Sequence, residues 1–181
     1  MTLDEGKRKV LMLLDEYSSG GELTADEDIL LRMNDFFDMA QKDMAQWQPI
    51  LRRTELTLSG TGQDALPEDV GRVTRIRKDG KPARGYEILD RAVLYGAGDT
   101  ATLTLDYFAV PATITPATAD AYRFEVSEEA ANCLPFFVAA QQLIPDLVVD
   151  YGSFYALYQQ MKGAVQRSAG TGGGMRQALW R

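Results

Sequence analysis

The chain has 181 residues, 45% hydrophobic and 25% charged, which is enough for one well-cored globular domain with a small subdomain. Its net charge of −7 and pI near 4.7 argue against a general nucleic-acid-binding protein, which needs clustered Lys and Arg. Histidine is absent, which excludes Ser-His and Cys-His catalytic pairs, and the single Cys133 is expected to be a small core residue. Because no apolar run approaches the ~20 residues of a membrane-spanning helix, no membrane contact is predicted.

Two amphipathic helices are predicted at the start of the chain. The first covers residues 3–17, and a Ser-Ser-Gly-Gly sequence ends it because glycine readily adopts the left-handed conformation of a helix stop. The second covers residues 24–53, and Thr24 and Glu27 open it with the T-x-x-E spacing of a capping box. Pro49 is expected to end or kink it, because proline lacks the amide donor and clashes with the preceding turn. The short connection between the two helices predicts an antiparallel helical hairpin over residues 1–53.

The second helix is predicted to have one buried and one solvated face. Apolar residues recur at steps of three and four and predict a buried stripe made of Ile29, Met33, Phe36, Phe37, Ala40, Met44 and Trp47. The polar residues are expected mostly on the opposite face: Asp28, Asp35, Asp38, Gln41, Lys42 and Asp43. Catalytic carboxylates face each other across a cleft, so we interpret these aspartates as a solvated acidic face, not as a metal or hydrolase site.

Residues 54–116 are predicted to form a small antiparallel sheet. The clearest strand is TATLTLDYFAV, in which Leu103, Leu105, Tyr107 and Ala109 alternate with polar residues and are expected to face one way. A turn is predicted at Asp79-Gly80 and a loop over GTGQDALPED. Six basic residues lie near this turn: Arg72, Arg75, Arg77, Lys78, Lys81 and Arg84. They fit either a solvated sheet edge or an electrostatic contact with an acidic neighbour, and both interpretations stay open.

Residues 117–168 are predicted to return to helices. Ser127 is a suitable N-cap for a helix that reaches about Ile144, although Pro135 requires a kink or a late start. A further helix is expected over residues 149–167. Residues 169–181 begin with a glycine-rich linker and are predicted to form a flexible C-terminal arm that a partner surface orders.

Three patches, in order, resemble the head–tail connector (adaptor) proteins of tailed bacteriophages. The first is the predicted N-terminal helix pair, KVLMLLDEYSSGGELTADEDILLRMNDFFDMAQKDMA. The second is LPEDVGRVTRI followed by TLTLDYFAVPATIT, which is similar to the start and the end of the family's β insert. The third is FEVSEEAANCLPFFVAAQQLIPDLVVDYGSFYALYQQM, which is similar to its closing helices. Together the patches cover most of residues 8–162, and their motifs concern packing, not catalysis.

The resemblance implies an α+β, mainly α fold: an antiparallel bundle of about four helices with a small inserted antiparallel β subdomain and an extended C-terminal arm. It implies a structural, non-enzymatic virion protein without cofactor, assembled in the bacterial host cytoplasm and located in the virion neck. Such proteins form a ring, commonly a dodecamer, between the portal protein and a tail or stopper protein, and DNA passes through without specific binding. The C-terminal segment then contacts the portal, through Met175, Arg176, Leu179, Trp180 and Arg181.

The acidity of the chain adds to this expectation. An acidic ring lumen would let DNA pass without sticking, and Asp28, Asp35, Asp38 and Asp43 are its candidate lumen or interface residues. Three alternatives stay open: another neck protein, such as a stopper or tail-completion protein; a non-viral α+β ligand-binding or regulatory module; and an acid-based hydrolase. The hydrolase has the least support because histidine is absent and no carboxylate pair is placed across a cleft.

Overall fold

The computed structural model describes residues 1–14, 27–143 and 151–173, and its fold is α+β, with helices and antiparallel sheets. The helices are α1 (Leu3–Leu13), α2 (Glu27–Trp47), α3 (Glu128–Ala131), α4 (Leu134–Leu143) and α5 (Tyr151–Gly173). The strands are β1 (Ile50–Thr57), β2 (Gln63–Ala65), β3 (Val70–Lys78), β4 (Lys81–Pro82), β5 (Glu87–Leu89), β6 (Ala92–Leu94) and β7 (Thr102–Ala109). Within these described ranges, no helix combines the length and the apolar character that a membrane span requires.

The chain divides into two compact units. The first, here called the helical unit, comprises Met1–Gln48 and Ala112–Arg181. The second, here called the β unit, comprises Pro49–Pro111. Helical segments that precede and follow the β unit in sequence therefore belong to one core.

The centre of the helical unit is α4, which contacts α1, α2 and α5. Its residues are apolar almost all round, and Leu134, Val138 and Ala139 are fully buried, as expected for a helix that is covered on several sides. The single helix predicted from Ser127 to about Ile144 is wrong, because α3 and α4 divide this stretch; Pro135 lies in the first turn of α4, where a missing amide donor costs no helical hydrogen bond. The predicted N-cap is confirmed for α3, since the Ser127 hydroxyl accepts a hydrogen bond from the Ala130 amide at 3.2 Å.

Helix α1 opens with a capping box that the sequence interpretation overlooked. The Glu5 amide donates to Thr2 Oγ1 at 3.2 Å, and the Thr2 amide donates to Glu5 Oε2 at 2.8 Å. Gly6 then lets α1 approach α2, because a Cβ at this position would lie 2.9 Å from the ring of Phe37. Helix α1 ends at Leu13 with Leu14 as its C-cap, so the prediction that it continues to residue 17 is wrong. The predicted capping box at Thr24 lies outside the described residues.

Helix α2 ends at Trp47, and the prediction that it continues to Arg53 is wrong. Pro49 cannot donate a backbone hydrogen bond and disfavours the helical conformation of the residue before it. From Ile50 onward the backbone pairs with β7 instead. The β unit accordingly begins near residue 49 and ends near residue 111, several residues before the predicted limits of 54 and 116.

The predicted faces of α2 need a partial correction. Met33, Phe37, Ala40 and Met44 are buried as expected, whereas Trp47 is 51% exposed. Gln41, predicted on the solvated face, is fully buried. Its amide satisfies other buried groups: Oε1 accepts from the Glu125 amide at 2.9 Å, and Nε2 donates to the Tyr122 hydroxyl at 3.0 Å.

The β unit contains two antiparallel sheets, not the single predicted sheet. Four strands form one sheet in the order β1-β7-β3-β4, and three strands form the other in the order β2-β6-β5. Strand β2 lies within the predicted loop GTGQDALPED, where it pairs with β6. The predicted turn at Asp79-Gly80 joins β3 to β4, and its φ angles of 53° and 74° fit the left-handed backbone of a tight hairpin.

The alternation predicted for β7 is confirmed. Leu103, Leu105, Tyr107 and Ala109 are buried and lie in the core of the β unit with Leu58, Leu66, Val70 and Val93. This core side of the four-stranded sheet is called its inner face below, and the opposite side its outer face.

The last described helix, α5, extends to Gly173, beyond the predicted end at Arg167. A helix makes its hydrogen bonds within its own segment, and glycine lowers its stability by only about 1 kcal/mol per residue. The predicted arm from residue 169 is therefore wrong for residues 169–173. Residues 174–181, which include all five predicted portal-contact residues, lie outside the described part.

Candidate functional site

The four candidate acids on α2 do not form one common face. Asp38 Oδ1 accepts from the Ile114 amide at 2.9 Å, and its Oδ2 accepts from Lys42 Nζ at 2.7 Å. Asp43, five residues further and about 140° around the helix, accepts from Lys162 on α5 at 2.6 Å. The expectation that these two carboxylates share a solvated face is thus wrong, because each is held by a neighbouring segment. Asp35 is exposed, and the side chain of Asp28 lies outside the described set.

Asp43 belongs to a polar cluster between α2 and α5. The Lys162 residue is 5% exposed, and its ammonium lies 4.6 Å from the ring centroid of Trp47, in the geometry of a cation–π contact. The hydroxyl of the buried Tyr158 also donates to Asp43. Burial, and next the hydrogen bond to Asp43, raise the pKa of Tyr158, so this phenol stays protonated as a donor. The cluster ties two helices together and offers no free nucleophile or base.

The strongest concentration of charge in the β unit lies on the outer face of the four-stranded sheet. Strand β7 lies between β1 and β3, and Asp106 on β7 has Arg53 of β1 opposite it on one side and Arg75 of β3 opposite it on the other. Arg77 lies opposite Thr104, and Arg72 opposite Phe108. Residues directly opposite each other on paired strands point to the same side, so all four arginines share the face that carries Asp106. We call this surface, Arg53, Arg72, Arg75, Arg77 and Asp106, the arginine face.

Two β-bulges in β3 bring these arginines to one side. The pairing with β7 shifts between Val70 and Arg72 and again between Val73 and Arg75, so Gly71 and Thr74 are extra residues. A Cβ at position 71 would lie 3.1 Å from the carbonyl oxygen of Phe108, which explains glycine there. A regular strand would place Arg72 and Arg75 on opposite faces, because side chains alternate with a period of two.

The arginine face has more positive than negative charge. Arg53 Nε donates to Asp106 Oδ1 at 2.7 Å, and Arg77 Nη2 lies 2.8 Å from Oδ2. The hydrogen bond from Arg53, followed by the charges of Arg53, Arg77 and Arg75, lowers the pKa of Asp106. Three guanidinium groups therefore surround one carboxylate that stays ionised, and Arg72 adds a fourth positive charge nearby.

The six basic residues noted in the sequence are thus divided by the fold. Lys78 lies opposite Leu103 on the inner face, where its ammonium is 3.3 Å from the Tyr86 hydroxyl and 3.4 Å from Asp99. Lys81 and Arg84 are exposed beyond the hairpin turn. Arg53 joins the face although the sequence interpretation placed it in a helix. Pro49, which disfavours a continuing helix, and the alternation of Leu56 and Leu58 with polar residues a few positions later were the signals that could have identified its strand.

The described residues form surface cavities but contain no cluster of metal ligands. They contain no group of three or more Cys, Asp or Glu residues that could hold a metal ion. In the helical unit, a mostly apolar groove of about 380 Å³ is lined by residues that include Met12, Phe136 and Met161. In the β unit, an open cleft of about 540 Å³ lies beside Tyr86 and Tyr95.

The chain was also compared with known proteins. No protein-family model matches it, and no match was found among the curated proteins.

Proposed function

We propose that this chain is a structural protein of a tailed-bacteriophage virion, a head-to-tail connector that forms a ring between the portal and the tail. In this proposal the helices form an antiparallel bundle of about four, the β unit is an insert in that bundle, and DNA passes through the ring without specific binding. The proposal rests on the three sequence patches that resemble connectors. The structural observation that supports it concerns α4: α1 and α2, which precede the β unit in the sequence, and α5, which follows it, all pack on this helix.

The C-terminal segment is the proposed contact with the portal. It comprises residues 174–181, which follow α5 and contain Met175, Leu179 and Trp180 together with Arg176 and Arg181. Tryptophan and arginine are the residues that most often dominate binding energy at protein interfaces. Trp180 is the proposed anchor.

The acidic residues have a more limited proposed role than the sequence suggested. Asp38 and Asp43 hold neighbouring segments through hydrogen bonds, and this occupies their carboxylates. Asp35, and by its position in the sequence Asp28, remain the candidates for a lumen that repels DNA. A lumen lined by Arg and Lys in the assembled ring would contradict this role.

The ring is tested by light scattering and cryo-electron microscopy of the full chain, alone and co-expressed with a portal protein. A closed ring bound to one face of the portal supports a connector, whereas a ring that binds only beyond a second neck protein identifies a stopper or tail-completion protein. A chain that stays monomeric under both conditions contradicts the proposal and favours a non-viral binding module.

The C-terminal contact is tested separately by deleting residues 174–181. We expect loss of portal binding with an unchanged circular dichroism spectrum. The matched control is Trp180→Phe, which keeps an aromatic anchor and should retain most of the binding. Full binding by the truncated chain would contradict the role of this segment but not the ring.

A further inference from the structure

The charge of this chain is divided unevenly along the sequence. The β unit contains nine Lys and Arg and nine Asp and Glu, so its formal charge is zero and the net −7 resides in the other residues. Residues 15–28, DEYSSGGELTADED, contain six acidic and no basic residues. We call them the acidic segment. This segment alone holds almost the whole excess of negative charge.

The arginine face has the opposite character. It presents four guanidinium groups, and in the register of the described strands β1, β7 and β3 the carboxylates on the same side are those of Asp106 and the exposed Glu55. An apolar margin accompanies the charge, because Leu51, which is 59% exposed, lies opposite Phe108 in the pairing of β1 with β7. A surface that combines excess arginine with apolar side chains fits an acidic peptide that also carries apolar residues.

We propose that the arginine face binds the acidic segment of a second copy of this chain. The acidic segment provides the matching chemistry, six carboxylates together with Tyr17 and Leu23. The two surfaces differ from each other, so each copy keeps one free face and one free segment after a first contact. Contacts of this heterologous kind close into a ring or grow into an open chain. The choice of a second copy rests on the proposed ring.

The test uses charge reversal in the full chain. Arg72→Glu with Arg75→Glu reverses two of the four guanidinium charges of the arginine face and retains Arg53 and Arg77, the two arginines in direct contact with Asp106. Glu22→Lys with Asp26→Lys changes the acidic segment. The control, Lys81→Glu with Arg84→Glu, makes the same charge change as the face variant at exposed positions beyond the hairpin. Circular dichroism and thermal unfolding confirm that each variant is folded.

Association is measured by analytical ultracentrifugation at about 50 mM NaCl, where exposed charges are weakly screened. We expect the face variant and the segment variant each to raise the concentration for half-association at least about tenfold, and the control to behave like the wild type. Raising the salt to about 300 mM should weaken wild-type association in the same direction.

Mixing the two variants gives the decisive result. The face variant retains a normal segment and the segment variant a normal face, so the mixture should form a one-to-one dimer that does not grow. A mixture that stays monomeric overturns the inference. So does a face variant or a segment variant that, measured alone, has the same concentration for half-association as the wild type. A wild-type chain that stays monomeric also overturns it, and nucleic-acid binding lost in the face variant would then assign the face to another partner.

The outcomes separate this inference from the proposed connector. Rings that form normally in the face variant refute the contact and leave the connector intact. Open chains that never close or bind a portal, yet depend on Arg72 and Arg75, support the contact and refute the connector.

Discussion

Removal of the Asp43 carboxylate should destabilise the helical unit more than removal of the lysine that it binds. Asp43→Ala leaves the buried ammonium of Lys162 without its anionic partner and also takes an acceptor from the Tyr158 hydroxyl. Lys162→Met removes the ammonium but keeps an apolar chain of similar length, and leaves Asp43 in contact with water. Breaking a buried ion pair from one side is costly because it leaves an uncompensated charge.

The geometry sets the expected size of the effect. Loss of one partner from a fully buried pair costs about 3–5 kcal/mol. Here the lysine side chain is 6% exposed but the aspartate side chain is 36% exposed, so water can partly replace the carboxylate. We therefore expect about 2–4 kcal/mol for Asp43→Ala and about 0–1 kcal/mol for Lys162→Met. The double variant should be more stable than Asp43→Ala alone, since no buried charge remains.

Urea unfolding followed by tryptophan fluorescence measures this difference. Trp47 reports on the cluster directly because the ammonium lies over its ring, and Trp180→Phe makes it the only tryptophan. The free energy of unfolding follows from the midpoint and the slope of each transition. The control is Asp35→Ala, which removes an exposed carboxylate from the same helix and should stay within about 0.5 kcal/mol of the wild type.

Two outcomes would refute this reasoning. An Asp43→Ala variant as stable as the Asp35→Ala control would show that water replaces the carboxylate fully. A double variant that loses as much as the two single variants combined would show no coupling between the two charges.

Three further predictions concern other parts of the fold. The β unit should lose stability in acid, because hydrogen bonds from tyrosine or arginine lower the pKa of four of its carboxyls, in Asp69 against the opposing effect of burial: Asp64, Asp69, Asp99 and Asp106. The stabilisation that these carboxylates contribute is complete above the ordinary pKa of 3.8 and is lost as the pH falls through the lowered pKa values. The urea concentration at the midpoint of unfolding should therefore decrease once the pH is below about 4. The same midpoint at pH 2 as at neutral pH would contradict this. Gly71→Ala should cost about 1–3 kcal/mol because its Cβ would crowd the Phe108 carbonyl, whereas Gly163→Ala in α5 meets no atom within 4 Å and should gain about 0.5–1 kcal/mol, both measured by thermal unfolding. Ser127→Ala should cost about 1 kcal/mol through loss of the N-cap and Ser127→Gly only a few tenths, and equal losses would argue against the cap.

The features predicted well depend on neighbouring residues. The turn at Asp79-Gly80 requires two adjacent residues that tolerate positive φ, and the cap at Ser127 requires an amide three residues away. The faces of β7 follow from strict alternation within eight residues. In each case the interacting groups lie within one short stretch, so the sequence contains the whole physical cause.

The strand that follows α2 was missed because its pairing partners are distant in sequence. Ile50 to Arg53 are compatible with a helix, but they pair with residues more than fifty positions later, such as Asp106. Gln41 was misjudged for the same reason: polar residues are usually exposed, and only its distant partners make burial favourable. A single sequence identifies amphipathic segments but not the partners that pair with them.

The arginine face was missed for a more specific reason. Strand β3 reads Val-Gly-Arg-Val-Thr-Arg-Ile-Arg-Lys, in which the apolar residues Val70, Val73 and Ile76 recur every three positions and obscure a strand pattern. When the two bulge residues are left out, the strand reads Val-Arg-Val-Arg-Ile-Arg-Lys, in which inner-face and outer-face residues alternate strictly and the last, Lys78, lies on the inner face. Because of the two bulges, apolar residues that recur every three positions can still occupy one side of a strand. The valines and the isoleucine of β3 therefore lie on the inner face of the sheet and its arginines on the outer face. The two interpretations left open for the basic residues differ only in whether this face meets solvent or an acidic partner, and charge reversal at Arg72 and Arg75 decides between them.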